Sequence, residues 1–175
     1  MAKHMGLKDF EKTFQQYKDT VFKTAYLIVG NVQEAEDILQ EVFVKVYEAA
    51  GTFDPQKGSM STWMHRITVN QCISQKRKKR AVSYSSEEME ERGFELTDPS
   101  DELPEEMVIQ REEVAIMWQA VKSIDAKHRA VLALRYFDGL SYDEIAKTLN
   151  IPLGTVKSRL NVAIKNLRTE MLGGL

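Results

Sequence analysis

The sequence predicts an all-α protein of two small helical domains joined by a flexible acidic linker, and three observations carry that expectation. Apolar residues recur every three or four positions over most of residues 10–47, 60–73 and 107–171, the spacing that gathers them on one helix face. No stretch of useful length alternates apolar and polar residues as a strand does. Lysine and arginine outnumber acids 13 to 9 in residues 1–80 and 9 to 5 in residues 114–175, whereas residues 81–113 hold 2 bases against 12 acids. The net charge of −2 over 175 residues is therefore a near-cancellation of +4, −10 and +4, and only the local values bear on a polyanionic partner.

The first helix is read from Phe10, Phe14, Tyr17, Val21, Phe22, Ala25 and Ile28, and it stops near Gly30. Asn31 then caps a second helix, with Glu34 placed to bond back to it, ahead of Ala35, Ile38, Leu39, Val42, Phe43, Val46 and Tyr47. A break at Gly51–Gly58 contains Asp54-Pro55 and precedes a third helix from about Ser61, with Met64, Ile67, Cys72 and Ile73 inward and Arg66, Asn70, Gln71 and Ser74 outward. Trp63, among Met60, Met64 and Ile67, reads as core, with stacking on a base as the alternative.

Residues 81–104 are read as the linker. They carry Glu87, Glu88, Glu90, Glu91, Glu95, Asp98, Asp101 and Glu102, with Pro99 and Pro104 and few large apolar groups to offset the entropy of ordering. The expected domains are thus 1–80 and 105–175. In the second, Met107, Val114, Met117, Trp118, Val121 and Ile124 keep helical spacing, and Asp125 caps a helix through Val131, Leu134 and Phe137. Asp138-Gly139 marks a turn, and Ser141-Tyr-Asp-Glu144 forms a capping box for a short helix that stops at Asn150. Pro152 suits the first turn of a last helix whose inward stripe is Leu153, Val156, Leu160, Ile164, Leu167 and Met171.

Several function classes are disfavoured. The single cysteine, Cys72, and three scattered histidines give no disulfide framework and no metal-ligand spacing, so no metal and no cofactor is expected. His4, His65 and His128 have no evident partners and there is no Gly-rich phosphate loop, which argues against an enzyme. No apolar run approaches the roughly 18 residues that span a bilayer, and the first residues lack the apolar stretch of a signal peptide, so a reducing, cytoplasmic setting is expected.

Two features point to DNA. A short helix and a longer one separated by about three residues, at 141–149 and 152–170, have the form of a helix-turn-helix, whose second helix enters the major groove. Subtracting the inward stripe leaves Thr155, Lys157, Ser158, Arg159, Asn161, Val162 and Lys165 for phosphates and base edges. In the first domain, Lys76-Arg77-Lys78-Lys79-Arg80 continues a helix bearing amide and hydroxyl groups, a phosphate-binding pattern that a solvated tail also shows. Asp37, Gln40 and Glu41, outward on the second helix, read locally as an ordinary solvated face.

Taken in order, G-N-V-Q-E-A-E-D-I-L-Q-E-V-F-V-K-V-Y (30–47), S-T-W-M-H-R-I-T-V-N (61–70) and R-Y-F-D-G-L-S-Y-D-E-I-A-K-T-L-N-I-P-L-G-T-V-K-S-R-L (135–160) resemble the extracytoplasmic-function (ECF, group 4) class of bacterial sigma factors. The resemblance implies sigma domain two, then the linker, then sigma domain four. It implies that Asp37, Gln40 and Glu41 dock on core RNA polymerase, and that the loop from about Phe53 to Met60, with Asn70, holds a flipped base of the minus-ten element, whose backbone is held by Arg66, Ser74 and Lys76 to Arg80. Domain four then reads the minus-thirty-five element. Many members carry a basic residue where Val162 stands, so Val162 is expected to meet a thymine methyl or to leave that position unread. The linker is expected to thread a basic polymerase channel, with a solvated spacer as the alternative. An anti-sigma factor is an implied partner. The competing function is a stand-alone helix-turn-helix regulator, which needs neither the polymerase-docking helix nor a melting module.

Overall fold

The computed structural model describes residues 6–83 and 105–173, and the acidic segment read as a linker lies almost wholly outside them. Among the described residues there are helices, turns and no strand. The helices are α1 (Leu7–Val29), α2 (Val32–Ala49), α3 (Met60–Ser83), α4 (Glu105–Ser123), α5 (Ala126–Leu132), α6 (Tyr142–Leu149) and α7 (Leu153–Gly173). A π-helical turn, Ala133–Phe137, continues α5.

Local chemistry sets most of the boundaries. Gly30 ends α1 in the left-handed region at φ 77°, donating its N–H to the Tyr26 carbonyl at 2.8 Å. Asn31 caps α2 by accepting from the Glu34 N–H at 2.9 Å. The expected return bond from Glu34 is not made: its carboxylate turns instead to Lys76 and Lys79 of α3, at 3.4 and 2.6 Å. Two cations outcompete one backbone amide for a mostly buried carboxylate. Asp125 stands at the start of α5 without a side-chain cap bond, against expectation; its carboxylate lies 4.0 Å from His128 Nδ1. The Ser141–Glu144 capping box of α6 is complete, and Asn150 stops that helix at φ 53°.

In the first module α1, α2 and α3 pack on one another. Val21, Ala25, Ile28, Ile38, Val42, Val46, Met64 and Val69 are buried there, with Phe10 and Phe14 edge-on to Phe43. Cys72 is fully buried in this core and its thiol is pushed up to about 12 by desolvation. In the second module α7 lies against α4, α5 and α6, burying Val156, Leu160 and Ala163. On α4 Ala120 faces inward, as does Ile124 just beyond its end, whereas Val114 and Met117 of the expected stripe are exposed.

The two modules are not held apart. α1 packs on α5 and the π-helical turn, α3 packs on α5 and α6, and one apolar core runs from Val21 and Ile28 through Ala130, Leu134 and Ile145. Trp118 of α4 stacks on Tyr26 of α1 with ring centroids 5.0 Å apart. This second covering of α3 accounts for its buried polar residues His65 and Thr68. Gln71 was expected outward; it is buried, and its side-chain oxygen accepts from the Lys45 ammonium.

Candidate nucleic-acid interface

Three faces assemble from these helices. On α7, Val156, Leu160 and Ala163 fill the core, and the remaining positions therefore turn outward. Lys157, Ser158, Asn161, Val162 and Lys165 are exposed, and Thr155 and Arg159 are half-buried. The Ser158 hydroxyl donates to the Thr155 carbonyl at 3.1 Å, which leaves its lone pairs outward. Val162 is 42% exposed, a bare apolar position among cations and amides. No residue of this face bonds to the first module among the hydrogen bonds and ion pairs of the described residues.

On α3, Arg66, Asn70 and Arg77 follow at intervals of four and seven, one face of the helix. Asn70 is exposed with its amide outward, and Ser74 is half-buried. The loop before α3 is held by local bonds: the Asp54 carboxylate accepts from the Gln56 N–H at 3.0 Å, the Ser59 hydroxyl accepts from the Thr62 N–H at 3.1 Å, and Phe53 lies 5.4 Å from the Trp63 ring. Trp63 is thus half-buried against its own loop.

The five-cation run divides in two. Arg77, Lys78 and Arg80 are exposed, whereas Lys76 and Lys79 reach Glu34, whose side chain is only 15% exposed. Lys76 has its pKa lowered, chiefly by burial and with Arg129 of α5 adding to it, while Glu34 opposes. Arg129 is itself buried at the seam between the modules, beside Gly30.

On α2, Asp37, Gln40 and Glu41 are all exposed, one turn apart on the face opposite Ile38 and Val42. Asp37 takes a long contact from the Gln33 amide at 3.5 Å, and nothing else covers the trio among the described contacts.

The structure also joins residues that the sequence leaves far apart. Asp138, at the end of the π-helical turn, accepts from the Thr24 hydroxyl at 2.9 Å and lies 3.4 Å from His65 Nε2. Arg66 Nε and Nη2 donate to the carbonyls of Thr148 and Lys147 at 2.9 and 2.7 Å. His65 therefore faces a carboxylate from far along the chain, although its Nε2 makes no hydrogen bond to it. No local pattern reveals one: Thr24 and Asp138 are 114 positions apart. The described residues hold no cluster of acids, cysteines and histidines able to bind a metal, and no helix among them is long and apolar enough to cross a membrane.

Comparison with known proteins agrees with this layout. Residues 13–82 match the Sigma-70 region 2 family and residues 120–169 match Sigma-70, region 4. The chain is 38% identical over 161 residues to the ECF RNA polymerase sigma factor SigW of Bacillus subtilis, covering 89% of this chain and 84% of that protein. It is 32% identical over 151 residues to the ECF RNA polymerase sigma-E factor of Escherichia coli K12, covering 83% and 76%. Among solved structures, the fold resembles the sigma factor RpoE of Bartonella quintana, crystallised with the anti-sigma factor NepR, at a TM-score of 0.72 and 23% identity over 95% of this chain and 98% of that one.

Proposed function

The chain belongs to the ECF class of RNA polymerase sigma factors, and from that membership we propose a division of labour among its residues. The protein acts by binding. Asp37, Gln40 and Glu41 dock α2 on core RNA polymerase, Arg66, Asn70, Ser74 and the Lys76–Arg80 run engage the minus-ten element, and Thr155, Lys157, Ser158, Arg159, Asn161, Val162 and Lys165 read the minus-thirty-five element. Residues 1–80 then form the polymerase-binding and melting domain, 81–104 the linker and 105–175 the minus-thirty-five domain. The group 4 assignment, an envelope or stress regulon, residence in the cytoplasm and control by an anti-sigma factor belong to the same proposal.

The observation that carries it is the uncovered acidic-and-amide face of α2 in the same chain as the outward face of α7. A regulator that binds DNA alone has no use for the first. On α7, Arg159 and the lysines supply phosphate contacts and one bidentate guanine reader, and Thr155 and Ser158 accept or donate to either base class. On α3, the Asn70 amide offers both a donor and an acceptor to the edge of an unstacked base.

Transcription in vitro with core polymerase tests this. The expected result is promoter-specific RNA only when the protein is present, lost in the triple variant Asp37→Ala, Gln40→Ala, Glu41→Ala while binding to a minus-thirty-five duplex persists. Specific DNA binding with no dependence of transcription on added protein would favour the stand-alone regulator.

A further inference from the structure

We infer that the turn at Gly30 carries a binding site for one small phosphate-like dianion, built from Arg129 of α5, Lys122 of α4 and Lys76 of α3. Arg129 and Lys122 belong to none of the three faces described above. The site therefore goes beyond the sigma-factor reading and does not rest on it.

Arg129 is in an unusual state for a buried cation. It is only 7% exposed, it forms no ion pair among the described residues, and its Nε, cut off from solvent, makes no hydrogen bond. Buried charges are ordinarily paired, and buried donors ordinarily bonded, so this guanidinium is a donor set suited to an acceptor from outside the chain. Its neighbours do not fill that role. Cys72 faces it, but a thiol pushed up to about 12 stays neutral and brings no counter-charge. Asp125 and Glu34 favour the charged guanidinium only from beyond ion-pair distance. Asp125 has a side chain 48% exposed, and Glu34 is already shared by Lys76 and Lys79.

Cations from three helices gather around it. A Cβ at Gly30 would stand 3.3 Å from both Arg129 Nη1 and Lys122 Cγ, so these two side chains lie together over that turn. Lys76 joins them from α3. The pKa of Lys122 is lowered first by burial and then by Arg129 and Lys76, and that of Lys76 by burial and by Arg129. Like charges that depress one another are stabilised by a shared anion. Lys76, Lys79, Lys122 and Arg129 outnumber Glu34 and Asp125 by two, the charge of a dianion. The arginine fork suits two oxygens of one phosphate and the lysines act as point charges beside it. A nucleic-acid strand cannot bring its backbone to a side chain 7% exposed. The ligand is therefore free phosphate or the terminal phosphate of a small molecule such as a nucleotide.

The test uses the full chain with inorganic phosphate as the probe. Calorimetric titration at constant ionic strength is expected to show one phosphate per chain with a Kd below about 1 mM. Tm is expected to rise in phosphate beyond any rise in chloride of equal ionic strength. Lys122→Gln is expected to weaken binding about 10-fold, the loss of one charge-assisted contact, and Arg129→Lys, which keeps the charge and loses the fork, by about as much. Glu34→Gln is expected to tighten binding about 5-fold, because the anion no longer shares Lys76 with a carboxylate. A variant that merely loosened the fold would not bind more tightly. Metal-free ATP in a second titration separates the sources: tighter binding with the same dependence on Lys122 assigns the terminal phosphate of a nucleotide, and equal or weaker binding assigns free phosphate. Lys122→Gln keeps the test decisive if Arg129→Lys does not fold. Equal Tm in phosphate and chloride overturns the inference. So does phosphate binding unchanged in the Lys122 variant, which would place the anion on the exposed cations of α3 or α7. No polymerase enters any arm, so the result is independent of the sigma-factor reading.

Discussion

Replacing Glu34 by Gln is the sharpest probe of the first module. The carboxylate contacts Lys76 at 3.4 Å and Lys79 at 2.6 Å and is itself 15% exposed, while the lysines are 31% and 55% exposed. The outer pair, with Lys79, is solvated enough to contribute no more than about 0.5 kcal/mol. The inner loss is larger, because Lys76 would remain half-buried with Arg129 near it and no counter-charge. Breaking a fully buried pair costs roughly 3–5 kcal/mol, and the partial exposure here reduces that to about 1.5 kcal/mol. The total of about 2 kcal/mol lowers Tm by about 4–8 °C in a chain of this length. Thermal unfolding followed by circular dichroism at neutral pH measures it, and a double-mutant cycle with Lys76→Met isolates the inner pair. Most of the loss should persist at about 0.5 M salt, since a partly buried pair is weakly screened. A Tm within 1 °C of the parent, roughly the scatter of such a measurement, with no coupling to Lys76, would refute the argument that this carboxylate neutralises a partly buried cation cluster.

Two further substitutions test how helices end. Gly30→Ala places a Cβ at φ 77° and 3.3 Å from both Arg129 Nη1 and Lys122 Cγ, so a loss of about 1–2 kcal/mol in urea unfolding is expected, mostly from the left-handed backbone. Ser141→Ala removes the hydroxyl that caps α6 and should cost about 1 kcal/mol. Glu144 is held below the usual carboxylate range, chiefly by the Ser141 backbone N–H at 2.7 Å. A depressed pKa means that its contribution is complete above the ordinary glutamate value and is lost as pH falls through the folded one. The stability gap between the parent and Glu144→Gln should accordingly be open at neutral pH and close on acidification; a gap that widens would contradict it.

What could be read beforehand was what is local. Asn31, Gly30, Ser141 with Glu144, and Asn150 act on their own neighbours within four positions, and each does in the structure what its chemistry suggests. The periodicity of α7 separates its faces in the same way over its middle turns, whereas Leu153 and Met171 at its ends, expected inward, are exposed. Apart from Asp125, which fails to cap α5, the main errors share a cause in contacts across long separations. Glu34 left its capping role for lysines more than forty positions away, and Gln71 is buried because Lys45 reaches over it from α2. Arg66 bonds to, and His65 lies against, a module that the charge pattern placed at the far end of a tether. A hydrophobic stripe states that a residue is covered, not by what, and polar residues such as Thr68 and His65 on a twice-covered helix break the stripe altogether.

The state of Cys72 has a consequence for signalling. With its thiol fully buried and pushed up to about 12, the thiolate that peroxides and electrophiles attack is about one part in ten thousand even at pH 8, and no second cysteine exists in the chain to resolve a sulfenic acid. Oxidants that act on thiolates do not reach this protein through Cys72. A regulon that answers to thiol oxidation through it takes that chemistry from a separate sensor and receives here only the mechanical outcome, a partner held or let go.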